Sequence, residues 1–230
     1  MNNVNYLEQS TTLGQAGKQN RVLRNTYGLL ALSMVPTVLG AMLGIQLNFS
    51  IFAGSPLISF LLFMGVAVGF MWGIERTKHS GMGVVLLLGF TFFMGLMLSR
   101  ILQVALGFNN GGTLIAMAAT GTGSIFFVLA GIAATSKRDF SNMGKFLFGG
   151  LILVLLASVA NIFFQIPALS LAISAIAVVL FSGYILYDIQ RIVNGGETNY
   201  ISATLAVYLD IYNVFVSLLQ LLMAFTGDRD

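Results

Sequence analysis

Seven apolar segments, each close to the twenty or so residues that a bilayer's hydrocarbon core requires of a helix, constrain this chain more than anything else in it. They run roughly over 27–47, 51–74, 84–102, 114–134, 146–166, 169–186 and 201–225. Hydrocarbon offers no water to backbone N–H and C=O groups, so a segment that crosses it must satisfy them internally, as a helix does. The expected fold class is therefore an all-α membrane protein, a bundle of seven transmembrane helices. Composition points the same way. With 57% hydrophobic and only 8% charged residues, 230 residues lack the polar surface to cover a water-soluble globule.

The connections are short. The first two segments are separated by a few residues near Asn48 and Ser50, and the fifth and sixth by Gln165 and Pro167, so both pairs read as tight hairpins. Pro167 suits a helix start, where its missing N–H is not needed. Residues 1–25 read as a polar tail, unstructured and solvated, 26–226 as one membrane domain, and 227–230 as a short C-terminus. The tail has no short apolar core ending in a small-residue cleavage site, so it does not read as a cleaved signal peptide. No repeat supports inverted halves.

Lys and Arg in the connections set the expected orientation. One side receives Lys18, Arg21, Arg24, Arg76, Lys78, Lys137, Arg138, Lys145 and Arg191; the other receives Arg100 and Arg229. The positive-inside bias puts the N-terminus in the cytoplasm and, after seven spans, the C-terminus outside. Arg100 reads as an interfacial residue that snorkels. The net charge of +3, with no basic run interleaved with aromatics, gives a nucleic-acid role nothing to rest on. The absence of cysteine excludes a disulfide framework, a thiolate metal site and a cysteine nucleophile.

Chemistry concentrates between Phe181 and Gln220, where Asp188 and Asp210 fall within or at the edge of apolar segments. A carboxylate at membrane depth costs on the order of 2.5 kcal/mol or more, so it reads as functional and its partner should be sought. On the seventh segment Asp210, Asn213, Ser217 and Gln220 share one helical face, a polar stripe in an apolar helix. On the sixth, Ser170, Ser174, Ala177, Phe181, Tyr184, Asp188 and Arg191 share another. Two antiparallel helices joined by a short loop bring these faces together. Two carboxylates in reach of each other in a low dielectric cannot both ionise comfortably and share a proton. Protonated, the pair ties two helices together; deprotonated, it repels and attracts a cation. Its oxygens suit a hard ion such as calcium. Two structural alternatives stay open: Asp188 paired with Arg191 at the interface, and Asp210 donating to a carbonyl of a neighbouring helix.

These segments carry a resemblance. ILYDIQRI, followed by LAVYLDIYNVFVSLLQLL, resembles the C-terminal signature of the Bax inhibitor family, and VLRNTYGLL, VANIFFQIPALSLAISA and GGETNYISAT resemble its bacterial YccA branch. The resemblance implies a bundle whose last helix is central and wrapped by the other six. It also implies an aspartate pair, falling on Asp188 and Asp210, that senses pH and governs a calcium leak. The family pattern adds a basic residue at the end of the second helix that latches to the first aspartate. In FMWGIERTKHSG that residue is Arg76; if the adjacent Glu75 faces the site instead, a third carboxylate joins it. Tyr184, Asn213 and Ser217 would support the pair. The YccA branch implies another role, regulation of the membrane AAA protease FtsH, with residues 1–25 available for it to grasp.

Enzyme chemistry has little support. Tyr187-Asp188 mimics half of an intramembrane aspartyl protease, but Asp210 follows Tyr208-Leu209 with no Gly-x-Gly-Asp. Ser124 lacks the glycine that a rhomboid-type nucleophile needs after it, His79 falls in a loop, and no HExxH or P-loop occurs. The expectation is a non-enzymatic membrane protein without a cofactor, its partners the lipid bilayer, calcium and, on the second reading, FtsH.

Overall fold

In the computed structural model the described backbone covers residues 2–49, 56–136 and 138–227, with side chains described over the same residues from Gln19 onward except Pro56. Ser50, Lys137, Arg229 and the side chain of Lys18 lie outside the described residues. Seven helices follow one another: α1 (Asn2–Gln46), α2 (Pro56–Thr77), α3 (Gly81–Leu106), α4 (Gly111–Thr135), α5 (Met143–Phe164), α6 (Pro167–Val193) and α7 (Tyr200–Thr226). Each contains a stretch long and apolar enough to cross a membrane, and in α1 that stretch is Gln19–Gln46. The polar N-terminal segment differs from its expectation, being helical from Asn2. Nucleating a helix is the costly step, so a polar segment attached to a helix already formed needs only to propagate it.

Central in the bundle is α7, which packs against α1, α2, α3, α4 and α6, while α5 lies outside on α6. Its position follows from its sequence: Ile201, Ala203, Leu205, Val207, Tyr208, Val214 and Leu219 are buried on several faces at once, as a helix surrounded by others requires. Outward-facing Phe127, Phe146 and Val179 are largely exposed, ready to meet lipid. The α1–α3 contact is built on glycine. A Cβ on Gly40 would run into the carbonyl oxygen of Phe92, and one on Gly95 into that of Thr37. Small residues at these crossings let backbones touch, the usual basis of helix association where hydrophobic driving force is lacking.

Local chemistry ends and starts the elements near the site. Asn199 caps α7, its Oδ1 accepting from Ile201 N at 2.9 Å and Ser202 N at 3.2 Å. Its Nδ2 donates to Lys78 O at 2.8 Å, tying the α6–α7 loop to the α2–α3 turn. In that loop Gly195 adopts φ +75°, a left-handed conformation that favours glycine. At the other end Gln165, also left-handed at φ 51°, and Pro167 make the α5–α6 hairpin, with Ile166 N donating to Asn161 Oδ1 at 2.9 Å. Arg21, Arg24, Arg76, Lys78, Arg138, Lys145 and Arg191 gather at the end of the bundle that holds the α2–α3, α4–α5 and α6–α7 connections; Arg100 lies toward the opposite end.

Candidate functional site

The antiparallel packing of α6 and α7 brings the Asp188 and Asp210 carboxyls within hydrogen-bonding reach of each other near the basic end. Asp210 is 5% exposed, and its Oδ2 has no hydrogen-bond partner among the described residues. Two facing carboxylates supply only acceptors, so a hydrogen bond between them requires a proton on one. Held that way the pair joins α6 to α7; stripped of the proton it places two negative charges in contact where little water screens them.

Three groups surround the pair. The Tyr184 phenol, one helical turn before Asp188, lies close enough to feel both carboxylates. On the following turn Arg191 attracts Asp188, while Glu197 in the α6–α7 loop repels it. Arg191 also approaches Glu197, at 3.8 Å and half exposed, and so divides its charge between two acids. The latch candidates sit elsewhere. Arg76 is placed over the Trp72 ring, 5.1 Å from its centroid, as a cation–π contact. Glu75 pairs with Lys78 and accepts from Ser202 Oγ at 2.9 Å on the first turn of α7. The basic side chain brought to Asp188 is thus Arg191.

Along α7 the polar stripe continues from Asp210. Asn213 Nδ2 donates to Leu209 O at 2.8 Å, and Ser217 is buried. Gln220 Oε1 accepts from Ser174 Oγ on α6 at 2.5 Å.

Sequence reasoning passed over Gln190, two residues beyond Asp188. It is 3% exposed, its Oε1 accepts from Phe140 N at 2.7 Å, and its Nε2 donates to Arg138 O, clamping the α4–α5 connection onto α6. A buried amide at the end of an apolar helix was the available signal. Tyr208 was missed too: its hydroxyl bonds Thr37 Oγ1 at 2.9 Å, linking α7 to α1 two residues before Asp210.

Among the described residues no three His, Cys, Asp or Glu side chains converge as a metal cage. Calcium takes six to eight oxygens, more than two carboxyls supply.

The family model described as inhibitor of apoptosis-promoting Bax1 matches residues 19–227. The chain belongs to the Bax inhibitor family. Relatives of this family member span nearly its whole length. The "Modulator of FtsH protease YccA" of Escherichia coli K12 is 39% identical over 203 residues, covering 88% of this chain and 90% of that protein. An uncharacterised Campylobacter jejuni protein is 41% identical over 206 residues, covering 89% of each chain. A Vibrio cholerae protein described as an uncharacterised membrane protein is 38% identical over 221 residues, covering 96% of each. The resemblance drawn from ILYDIQRI, the YLDIYN segment and the YccA-like stretches therefore holds, and this Bax inhibitor family member is a multi-pass helical membrane protein.

Proposed function

We propose that this protein is a pH-sensitive cation leak in a bacterial inner membrane, with calcium as the ion and the Asp188–Asp210 pair as its gate. One observation carries the reading: two carboxyls, Asp210 buried and Asp188 partly buried, on two different helices of a membrane bundle, meet within hydrogen-bonding reach. A proton bridging them holds α6 on α7, and its loss both loosens that contact and leaves a site that attracts a hard cation. The positive-inside bias supports a cytoplasmic basic end, so the gate would sense cytoplasmic pH. A latch through Arg76 would require that side chain to leave Trp72; Arg191 needs no such movement. No covalent step is part of this reading.

The test is calcium flux into proteoliposomes holding the purified protein, followed across pH for the native chain and for Asp210→Asn. The expected result is a pH-dependent flux whose dependence is flattened in the variant. No flux above empty liposomes at any pH would leave Asp210 as a structural carboxyl.

A second reading rests on the E. coli relative named a modulator of the FtsH protease. On it, this chain docks on a membrane AAA protease and conducts nothing, presenting its polar N-terminal helix segment. Co-purification of FtsH with the full chain, and its loss on deletion of residues 2–18, is the expected outcome; regulation that survives the deletion would remove the grasping version of this reading.

A further inference from the structure

Polar side chains continue beyond the carboxyl pair in a line toward the other face of the membrane. On α7, Asp210, Asn213, Ser217 and Gln220 recur about once per turn, covering roughly 15 Å of helix at 1.5 Å per residue. Opposite them α6 contributes Ser174, 2% exposed and bonded to Gln220, and Ser170, which accepts from Asn161 Nδ2 on α5 at 2.6 Å. There the seam opens into a groove of about 580 Å³ lined by Asn161, Gln165, Ser170, Ser174 and Gln220. Between groove and pair, helical spacing gives α6 only Ala177 and Phe181, so α7 supplies the polar wall.

Ser174 and Asn213 in this line are bonded locally, to Ser170 O at 2.9 Å and Leu209 O at 2.8 Å, so what marks it is two groups without such a bond. Ser33, Thr37, Thr122 and Ser158 each donate to the carbonyl four residues back, which satisfies them locally. Ser217, 7% exposed, has no such bond among the described residues, and Asp210 Oδ2 at the end of the line is without a partner. A buried oxygen left open at membrane depth, as Asp210 Oδ2 is, is costly unless water or an ion reaches it.

We propose that the α6–α7 seam is a hydrated route from the Asn161–Gln220 groove to the Asp188–Asp210 pair, along which oxygens of Gln220, Ser217 and Asn213 hand on a hard cation. The inference rests on the leak reading for its cargo, but the hydration of the seam stands or falls separately. The side chains set the selectivity expected: neutral oxygen donors at the groove and charge only at the far end suit a cation, not an anion.

The chain contains no cysteine, so single-cysteine variants can be read without background. Ser174→Cys and Ser217→Cys, near-isosteric changes, would be treated in sealed proteoliposomes with a charged, membrane-impermeant methanethiosulfonate, at pH values on both sides of the flux response. Ile176→Cys and Val179→Cys, at outward positions 56% and 73% exposed, are the lipid-facing controls. The thiolate is the reactive form and needs a wet surrounding, so both seam variants should label at least about tenfold faster than the controls. Complete labelling after denaturation, together with a native melting curve, establishes that each variant is folded. Ser217→Cys labelling as slowly as the controls at every pH, even with Ser174→Cys reactive, would make the groove a dead end and overturn the route. Labelling requires no ion movement: a wet seam in a protein without flux sinks the leak and keeps the route, while flux through a protein with a dry seam does the reverse.

Discussion

At the level of single residues, Asp210 decides most. The sign of its response follows from charge. Raising pH removes the proton shared with Asp188 and sets two like charges in contact, so flux should rise with pH in the native chain. Asp210→Asn keeps a hydrogen-bonding side chain and leaves Asp188 to titrate without a like charge against it, so its flux should vary less with pH; a native flux that instead rises on acidification would reverse the gate. A different acid response belongs to Asp139, outside the spans, whose carboxyl is held below its ordinary value by bonds from the Ser141 side chain and backbone. That support is present above the ordinary carboxylate range and is lost as pH falls through the lowered value, so it concerns the α4–α5 connection at acid pH and not the gate. Tyr208→Phe should lower stability by about 0.5–1.5 kcal/mol in thermal unfolding, near the low end because Thr37 keeps its bond to Ser33 O. Asp188 and Asp210 were legible in the sequence because an acid in an apolar run stands out and because helical spacing aims both at one seam. Gln190, Asn199 and Tyr208 were not, since their partners Phe140, Lys78 and Thr37 are remote in the chain and contact with them is a tertiary fact. Arg76 shows the converse: its place at the end of α2 suggested a latch, yet its side chain has an aromatic ring beside it to settle on.

At the level of elements, the ends and crossings of helices carry the testable content. Removing the α7 cap with Asn199→Ala should cost about 1 kcal/mol, and somewhat more because the Lys78 carbonyl loses its donor too; thermal melting in detergent would show it. Gly95→Ala forces a methyl against the Thr37 backbone, which cannot swing aside as a side chain could, and should destabilise by about 1–3 kcal/mol. An unchanged melting temperature would mean that α1 and α3 can separate without loss. All seven spans were readable from hydropathy, because lipid leaves a crossing segment so few alternatives. The helical state of residues 2–18 was not, because a polar composition with no periodic apolar face looks the same whether a chain is coiled or extends an existing helix.

For the whole molecule, the arrangement is uneven. A tightly crossed α1–α3 pair and the buried α7 form one body, and α5 packs mainly against α6. Deleting residues 2–18 should leave the melting curve of the bundle unchanged, since the membrane stretch of α1 begins at Gln19; a lower melting temperature would assign the polar segment a packing role. The unevenness also has a mechanical side. An unfolding motor that took hold of the N-terminus would pull first on α1, where Gly40 and Gly95 lock backbone to backbone and the Tyr208–Thr37 bond adds a tie to the central helix. Force applied there loads a tightly packed helix instead of peeling a loose one, so the first span would resist its puller while the polar segment still offers a handle.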